Sequence, residues 1–161
     1  MSKNYHNIKA VRQIDETTCW AASLEWWLKA VVNRGEMTQE DALQKYHAFW
    51  KDEVDGVISK KGMFALVSDP LWQMSVQWCQ AFQFTPAVLA EHLARGPIYV
   101  GYYEKKVKGN HVNVIYKAVD SYEKGDTMRI GVMEPSGGKH KTRHLNYYQG
   151  RGEIILASPK I

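Results

Sequence analysis

Cysteine is scarce in this chain. Cys19 and Cys79 are the two cysteines in 161 residues, they form no CxxC pair, and two are too few for a disulfide framework. A reduced, cytosolic origin is the plain expectation. A Cys19–Cys79 disulfide is the alternative, and it excludes any use of Cys19 as a nucleophile. Long apolar runs are also missing: no stretch of about 18 apolar residues occurs, so no membrane-spanning helix is expected. Residues 1–7 are polar and lack the apolar centre of a secretory signal. Residence in the cytoplasm, or export by a dedicated secretion machine, is expected. No strong charge of one sign accumulates. The net charge of +4 is mild and is not the footprint of a nucleic-acid binder. There is no internal repeat, no phosphate-cradling glycine loop and no paired-carboxylate pattern, and Ser136 lies in no nucleophile elbow. His140 and His144 have the spacing of a helical metal pair. Their glycine-rich surroundings and the lack of a third local ligand argue against zinc, so no metal and no other cofactor is expected.

What is present describes one globular domain. Apolar residues make up 45% and charged residues 24% of the chain, ordinary proportions for a packed core. Residues 1–95 read as a mainly helical half. Trp20, Leu24, Trp27, Leu28 and Val31 repeat at helical spacing, and Asn33 and Gly35 end that helix. Thr38 and Asp41 resemble a capping box for a second helix running to about Trp50. Residues 51–62 read as a loop, and 63–84 as a short helix or a buried connection. Thr85 and Pro86 start a third helix that stops at Arg95-Gly96. After Gly96 the period becomes alternating, with strands expected at 98–103, 111–119, 127–134, 142–148 and 152–158 and turns at 108–110 and 121–126. Residues 96–161 therefore read as an antiparallel sheet, and the whole chain as α+β.

The chemistry concentrates in a few positions. Cys19 sits where the first helix begins, behind the cap-type residues Asp15, Glu16, Thr17 and Thr18. A helix start favours the thiolate, the nucleophilic form of cysteine. Gln13, one short turn upstream, is placed to hold its amide beside the same sulfur. Trp20 adjoins the nucleophile and is expected at the substrate, unlike the other tryptophans, which read as core. Ala21 and Ala22 leave room for a substrate or a neighbouring strand. Far along the chain, Gly109-Asn110-His111 opens one strand and Glu134-Pro135 closes the next. Adjacent antiparallel strands bring the start of the first level with the end of the second, so His111 and Glu134 fall at one edge. That supplies a base and a carboxylate to orient it. Asn113 is an alternative orienter, but it shares a strand face with His111. Asp120 lies at the wrong end of the strand. Lys105, Lys106 and Lys108, and Lys139, Lys141 and Arg143, flank the two ends of this pattern. They read as solvated turn residues in preference to a substrate-steering rim. Cys79 reads as an inert, buried small hydrophobe.

Gln13, Cys19-Trp20-Ala21-Ala22, Gly96-Pro97 opening a strand, His111 and Glu134-Pro135 together resemble a papain-like cysteine peptidase of the small bacterial effector or toxin type. The resemblance spans the chain from Gln13 to its last strand. It implies a helical half packed on an antiparallel sheet with the active site in the groove between. It further implies that Cys19 attacks a peptide or isopeptide carbonyl, His111 is its base, Glu134 orients His111 where the family has Asn or Asp, and Gln13 donates to the oxyanion. Trp20 and Asn110 would touch substrate. The partner would be a protein or peptide substrate, with an immunity or carrier protein where the chain acts as a toxin. Two alternatives keep the fold: a catalytically silent peptide-binding module, and an acyltransferase or deamidase that uses the same triad.

Overall fold

The structure, a computed structural model, describes residues 4–51, 58–106, 108–119 and 128–161. The expected turn at 121–126 and Asp120 lie outside them.

Helix α1, Cys19–Ala30, carries apolar side chains around most of its circumference, and ten of its residues are buried. A helix apolar on all sides belongs inside a protein, and α1 forms the centre of one core. Its polar groups are satisfied there. Trp27 Nε1 donates to the Pro97 carbonyl at 2.9 Å, Ser23 Oγ to the Val112 carbonyl at 3.2 Å, and Trp26 Nε1 to the Ile8 carbonyl at 3.3 Å. Asn33 and Gly35 follow with φ of 65° and 97° and end the helical stretch.

Helix α2, Gln39–Lys45, starts on the Thr38/Asp41 capping box. It ends earlier than expected, and a 3₁₀ turn at His47–Phe49 replaces its last turns. Helix α3, Lys60–Val67, capped by Ser59, occupies part of the expected loop and of the undecided stretch. The remainder of that stretch is strand β1, Met74–Gln80. Met74, Val76 and Trp78 alternate with Ser75 and Gln77 and pack on the α1 core, a short period-2 signal in the stretch expected to be a helix or a buried connection. Helix α4, Pro86–Leu93, has Thr85 as its cap and Pro at its start. Strands β2 (Ile98–Glu104), β3 (Gly109–Ala118), β4 (Arg129–Glu134), β5 (Lys139–His144) and β6 (Glu153–Pro159) follow, with the short helix α5 (Asn146–Gln149) before β6. The strand expected at 142–148 thus begins earlier and gives way to α5.

Among the described residues the protein is α+β, with five α-helices and a six-stranded sheet ordered β1-β6-β2-β3-β4-β5, every neighbouring pair antiparallel. β1 crosses from the expected helical half to pair with β6. Alternation divides the sheet between two cores. Tyr99, Val112, Val114, Tyr116, Met133 and Ile155 pack with α1 in one cluster. Val100, Tyr102, Ile115, Ile130, Val132 and Leu156 pack in the other with Leu89 of α4 and Tyr148 of α5. No helix among the described residues is long and apolar enough to cross a membrane.

Trp27 is fully buried and hydrogen-bonded at the α1–sheet junction. W27A is expected to cost about 3–5 kcal/mol, read as a lower urea midpoint at unchanged slope.

Candidate active site

The start of α1 differs from that of the other long helices. Side chains of Thr38, Ser59 and Thr85 cap α2, α3 and α4, but Thr18 makes no side-chain cap bond to α1. The cap-type residues of the lead-in bond one another instead. Asp15 Oδ1 accepts from the Thr17 N–H and hydroxyl, and Thr18 Oγ1 accepts from the Asp15 N–H. Thr18 thus leaves the positive end of α1 without the usual N-cap acceptor, a condition that suits an anion there. Cys19 is the first residue of that helix.

β3 brings the second component. Val112 and Val114 point at α1, so Asn110, His111 and Asn113 arrive beside its first turn through the backbone of the same strand. The Val112 N–H donates to Cys19 Sγ at 3.3 Å, and Sγ lies 3.8 Å from the Asn110 carbonyl oxygen. His111 Nε2 is 2.9 Å from Glu134 Oε2. The Cys19 sulfur is the ring's other polar neighbour. The imidazole is therefore held between sulfur and carboxylate. All three side chains are buried: Cys19 is 1%, His111 6% and Glu134 2% exposed.

Burial alone would drive the proton off His111. The Cys19 sulfur and the Glu134 carboxylate outweigh it, and the imidazole pKa is pushed up to about 10. Burial would likewise favour a protonated Glu134. The His111 imidazolium and the Arg143 guanidinium prevail, and the carboxyl is held down at about 2. Glu134 has no idle lone pair: Oε1 accepts from Arg143 Nη2 at 2.6 Å and Asn113 Nδ2 at 3.4 Å, and Oε2 takes the Ser136 N–H at 3.2 Å besides His111. Asn113 is fixed in turn by the Tyr148 hydroxyl at 2.9 Å and donates to Tyr102 Oη at 3.1 Å.

Two readings from the sequence change here. Arg143, expected in solvent, is an ion-pair partner of Glu134. Asn113, considered as an orienter of His111, bonds Glu134. The signal for Asn113 lay in the β3–β4 register, which pairs Val114 with Met133 and by continuation sets Asn113 opposite Glu134.

The remaining candidates fall as follows. Trp20, expected at the substrate, has no exposed surface and packs edge-on against Tyr46 in the core; apolar contacts on every side of α1 draw it inward. Gln13 is half-buried. Its N–H donates to the Pro135 carbonyl at 3.0 Å, which ties it to the turn after Glu134. Gly138 permits that approach: a Cβ there would lie 2.8 Å from Arg12 Cα. The Gln13 amide donates to the Asp15 carbonyl at 2.6 Å, using one of its two hydrogens, while Oε1 is buried without a partner. Asn110 Nδ2 donates to the Ile58 carbonyl at 3.1 Å, and Asn110 lines a cavity of about 270 Å³ with Met63, Trp78, Gly101, Tyr103 and Ile155. Lys60 and Glu153 form an ion pair at this cavity. His140 and His144 lie on strand β5, not a helix, and His140 Nε2 bonds the Ile8 carbonyl oxygen at 2.8 Å. Among the described residues no cluster of three His, Cys, Asp or Glu side chains is placed to hold a metal ion.

No family model matches the chain, and no curated protein matches it.

The two shifted groups set a pH window for stability. Glu134, lowered to about 2, contributes above the ordinary carboxylate range near 4.3 and loses that contribution as pH falls toward 2. His111, raised to about 10, contributes below its ordinary 6.5 and loses that contribution as pH rises toward 10. Melting temperature should therefore plateau near pH 5–6 and fall on both sides. H111A should flatten the fall between pH 7 and 10 in calorimetric scans; an unchanged slope would contradict the assignment.

Proposed function

We propose that the protein is a thiol-dependent hydrolase of peptide or isopeptide bonds, a papain-like cysteine peptidase. The observation that carries this reading is the imidazole of His111 held between the Cys19 sulfur and the Glu134 carboxylate at an uncapped helix start. A helix packed on an antiparallel sheet, with the nucleophile from one and the base from the other, supports the papain-like assignment.

The reaction follows from these groups. The Cys19 thiolate attacks the carbonyl carbon, forming the C–S bond as the carbonyl electrons move to oxygen. The Cys19 N–H and the Gln13 amide are the donors for that oxyanion, and losing one such donor typically costs about 100- to 1,000-fold in rate. As the C–N bond breaks, His111 gives its proton to the leaving nitrogen. His111 then takes a proton from water, which attacks the thioester and releases the acid and the thiolate. Glu134 stays ionised and fixes the ring. The cavity beside Asn110 has room for an apolar substrate side chain.

A second reading is favoured by one observation. With Cys19 1% exposed, a carbonyl reaches the sulfur only when the groups over it move apart. A closed sulfur suits a silent peptide-binding domain. Acyl transfer or deamidation would use the same triad with a different acceptor. An effector or toxin role, with an immunity or carrier partner, rests on the family resemblance alone.

Intact-mass labelling with iodoacetamide or an epoxide at pH 6 separates the first two. Burial pushes the Cys79 thiol upward, so Cys79 serves as an internal slow control. One adduct, absent in C19A, forming faster than on free cysteine, is the expected result. Labelling no faster than at Cys79 overturns the hydrolase reading. E134Q should keep part of the rate, and C19A should lose turnover while keeping the wild-type circular dichroism spectrum.

A further inference from the structure

We propose that Arg143 is the positioning residue of this site, holding Glu134 as a fixed anion against His111 from the far side of the carboxylate. The inference rests on the hydrolase reading for its consequence, and on geometry for its substance. Arg143 reaches from edge strand β5 into the second core, and its side chain is 12% exposed. Nη2 donates to Glu134 Oε1 at 2.6 Å, while His111 takes Oε2 at 2.9 Å. The carboxylate is thereby clamped between two cations, one oxygen each. A glutamate has one more rotatable bond than an aspartate, so a clamp on its second oxygen is what keeps the first aimed at the ring.

The guanidinium is itself fixed. It lies over the Tyr147 ring at 4.3 Å, and Arg151 lies over the same ring at 4.3 Å. Arg151 is anchored to Glu104 at 2.8 Å, and the Tyr147 and Tyr102 hydroxyls are 3.2 Å apart. Arg143 Nη1 is buried with no partner. The guanidinium is thus held by the Glu134 carboxylate, the Tyr147 ring and the neighbouring Tyr148 side chain. The charged and titratable groups around Glu134 and His111 include Cys19 from α1, Tyr102 and Glu104 from β2, Arg143 from β5 and Tyr148 from α5. Among them Arg143 alone is a cation bonded to Glu134 other than His111.

Charge placement and plain structural support predict different pH behaviour. Removing a cation within about 4–6 Å of a carboxylate raises its pKa by about 1–3 units. In R143M, which keeps the length of the side chain, Glu134 should begin to protonate between pH 5 and 3 and release the ring. The ratio of wild-type to R143M alkylation rates at Cys19 should then grow between pH 7 and pH 4, about twofold where the carboxyl titrates near 4 and up to about tenfold where it titrates near 5, while R143K, which keeps the charge, should hold the ratio level. A ratio that is constant with pH in R143M, or that grows equally in R143K, overturns the proposal. R143K decides the matter if R143M does not fold. If wild-type Cys19 shows no activation, the hydrolase reading fails independently. Arg143 is then read from the Glu134 carboxyl carbon by NMR, assigned with E134Q. An upward shift of about 1–3 pH units in R143M upholds it, and an unmoved titration overturns it.

Discussion

Strand β3 has to satisfy two faces at once, and the candidate site depends on its doing so. Val112 and Val114 fill the core around α1, which presses the start of the helix against the strand's backbone. His111 and Asn113, at the alternate positions, point the other way, toward Glu134. The Val112 N–H bond to Cys19 Sγ is the junction where the two faces meet. A slip of one residue would send His111 into the α1 core and a valine to the carboxylate. The register is therefore fixed by apolar packing, and the geometry of the candidate site is inherited from it.

The second constraint is electrostatic. Cys19, His111, Glu134 and Arg143 form a line of ionisable groups that alternates in sign when the sulfur is a thiolate. Each is largely out of water, where an isolated charge is expensive. Alternation lets each charge be solvated by its neighbours, and Asn113 and the Ser136 N–H complete the shell of Glu134. A charged orienter differs from a neutral amide in needing a counter-charge of its own, and Arg143 occupies that place.

Much of this was legible in the sequence because it depends on local order. The start of α1 at Cys19, the capping box of α2, the proline start of α4 and the pairing of His111 with Glu134 follow from spacing and strand polarity. What was not legible depends on the third dimension. Arg143 reads as one more basic residue in a run, since nothing in a linear pattern says that it turns inward along Tyr147. β1 does alternate at Met74, Val76 and Trp78, but the run is short and follows Leu71-Trp72, so periodicity alone does not separate a strand from a buried connection there. Adjacency to Cys19 in the sequence points Trp20 to the substrate, yet adjacent residues on a helix point in directions about 100° apart. The Gln13 side chain bonds its own loop, a contact that no spacing rule foresees.

The direction of the β3–β4 pair has a practical corollary. His111 stands near the beginning of β3 and Glu134 at the end of β4, so the connection between these strands leaves from the opposite end of the pair. Seven residues of strand separate His111 from Ala118, about 23 Å at the usual rise. Chain length at that distal end can vary, or a reporter sequence be spliced there, without entering the space around the sulfur. The turn at 135–138 is the reverse case: it touches Arg12 and holds Gln13, so even a single inserted residue there would be felt at Gln13 and Glu134.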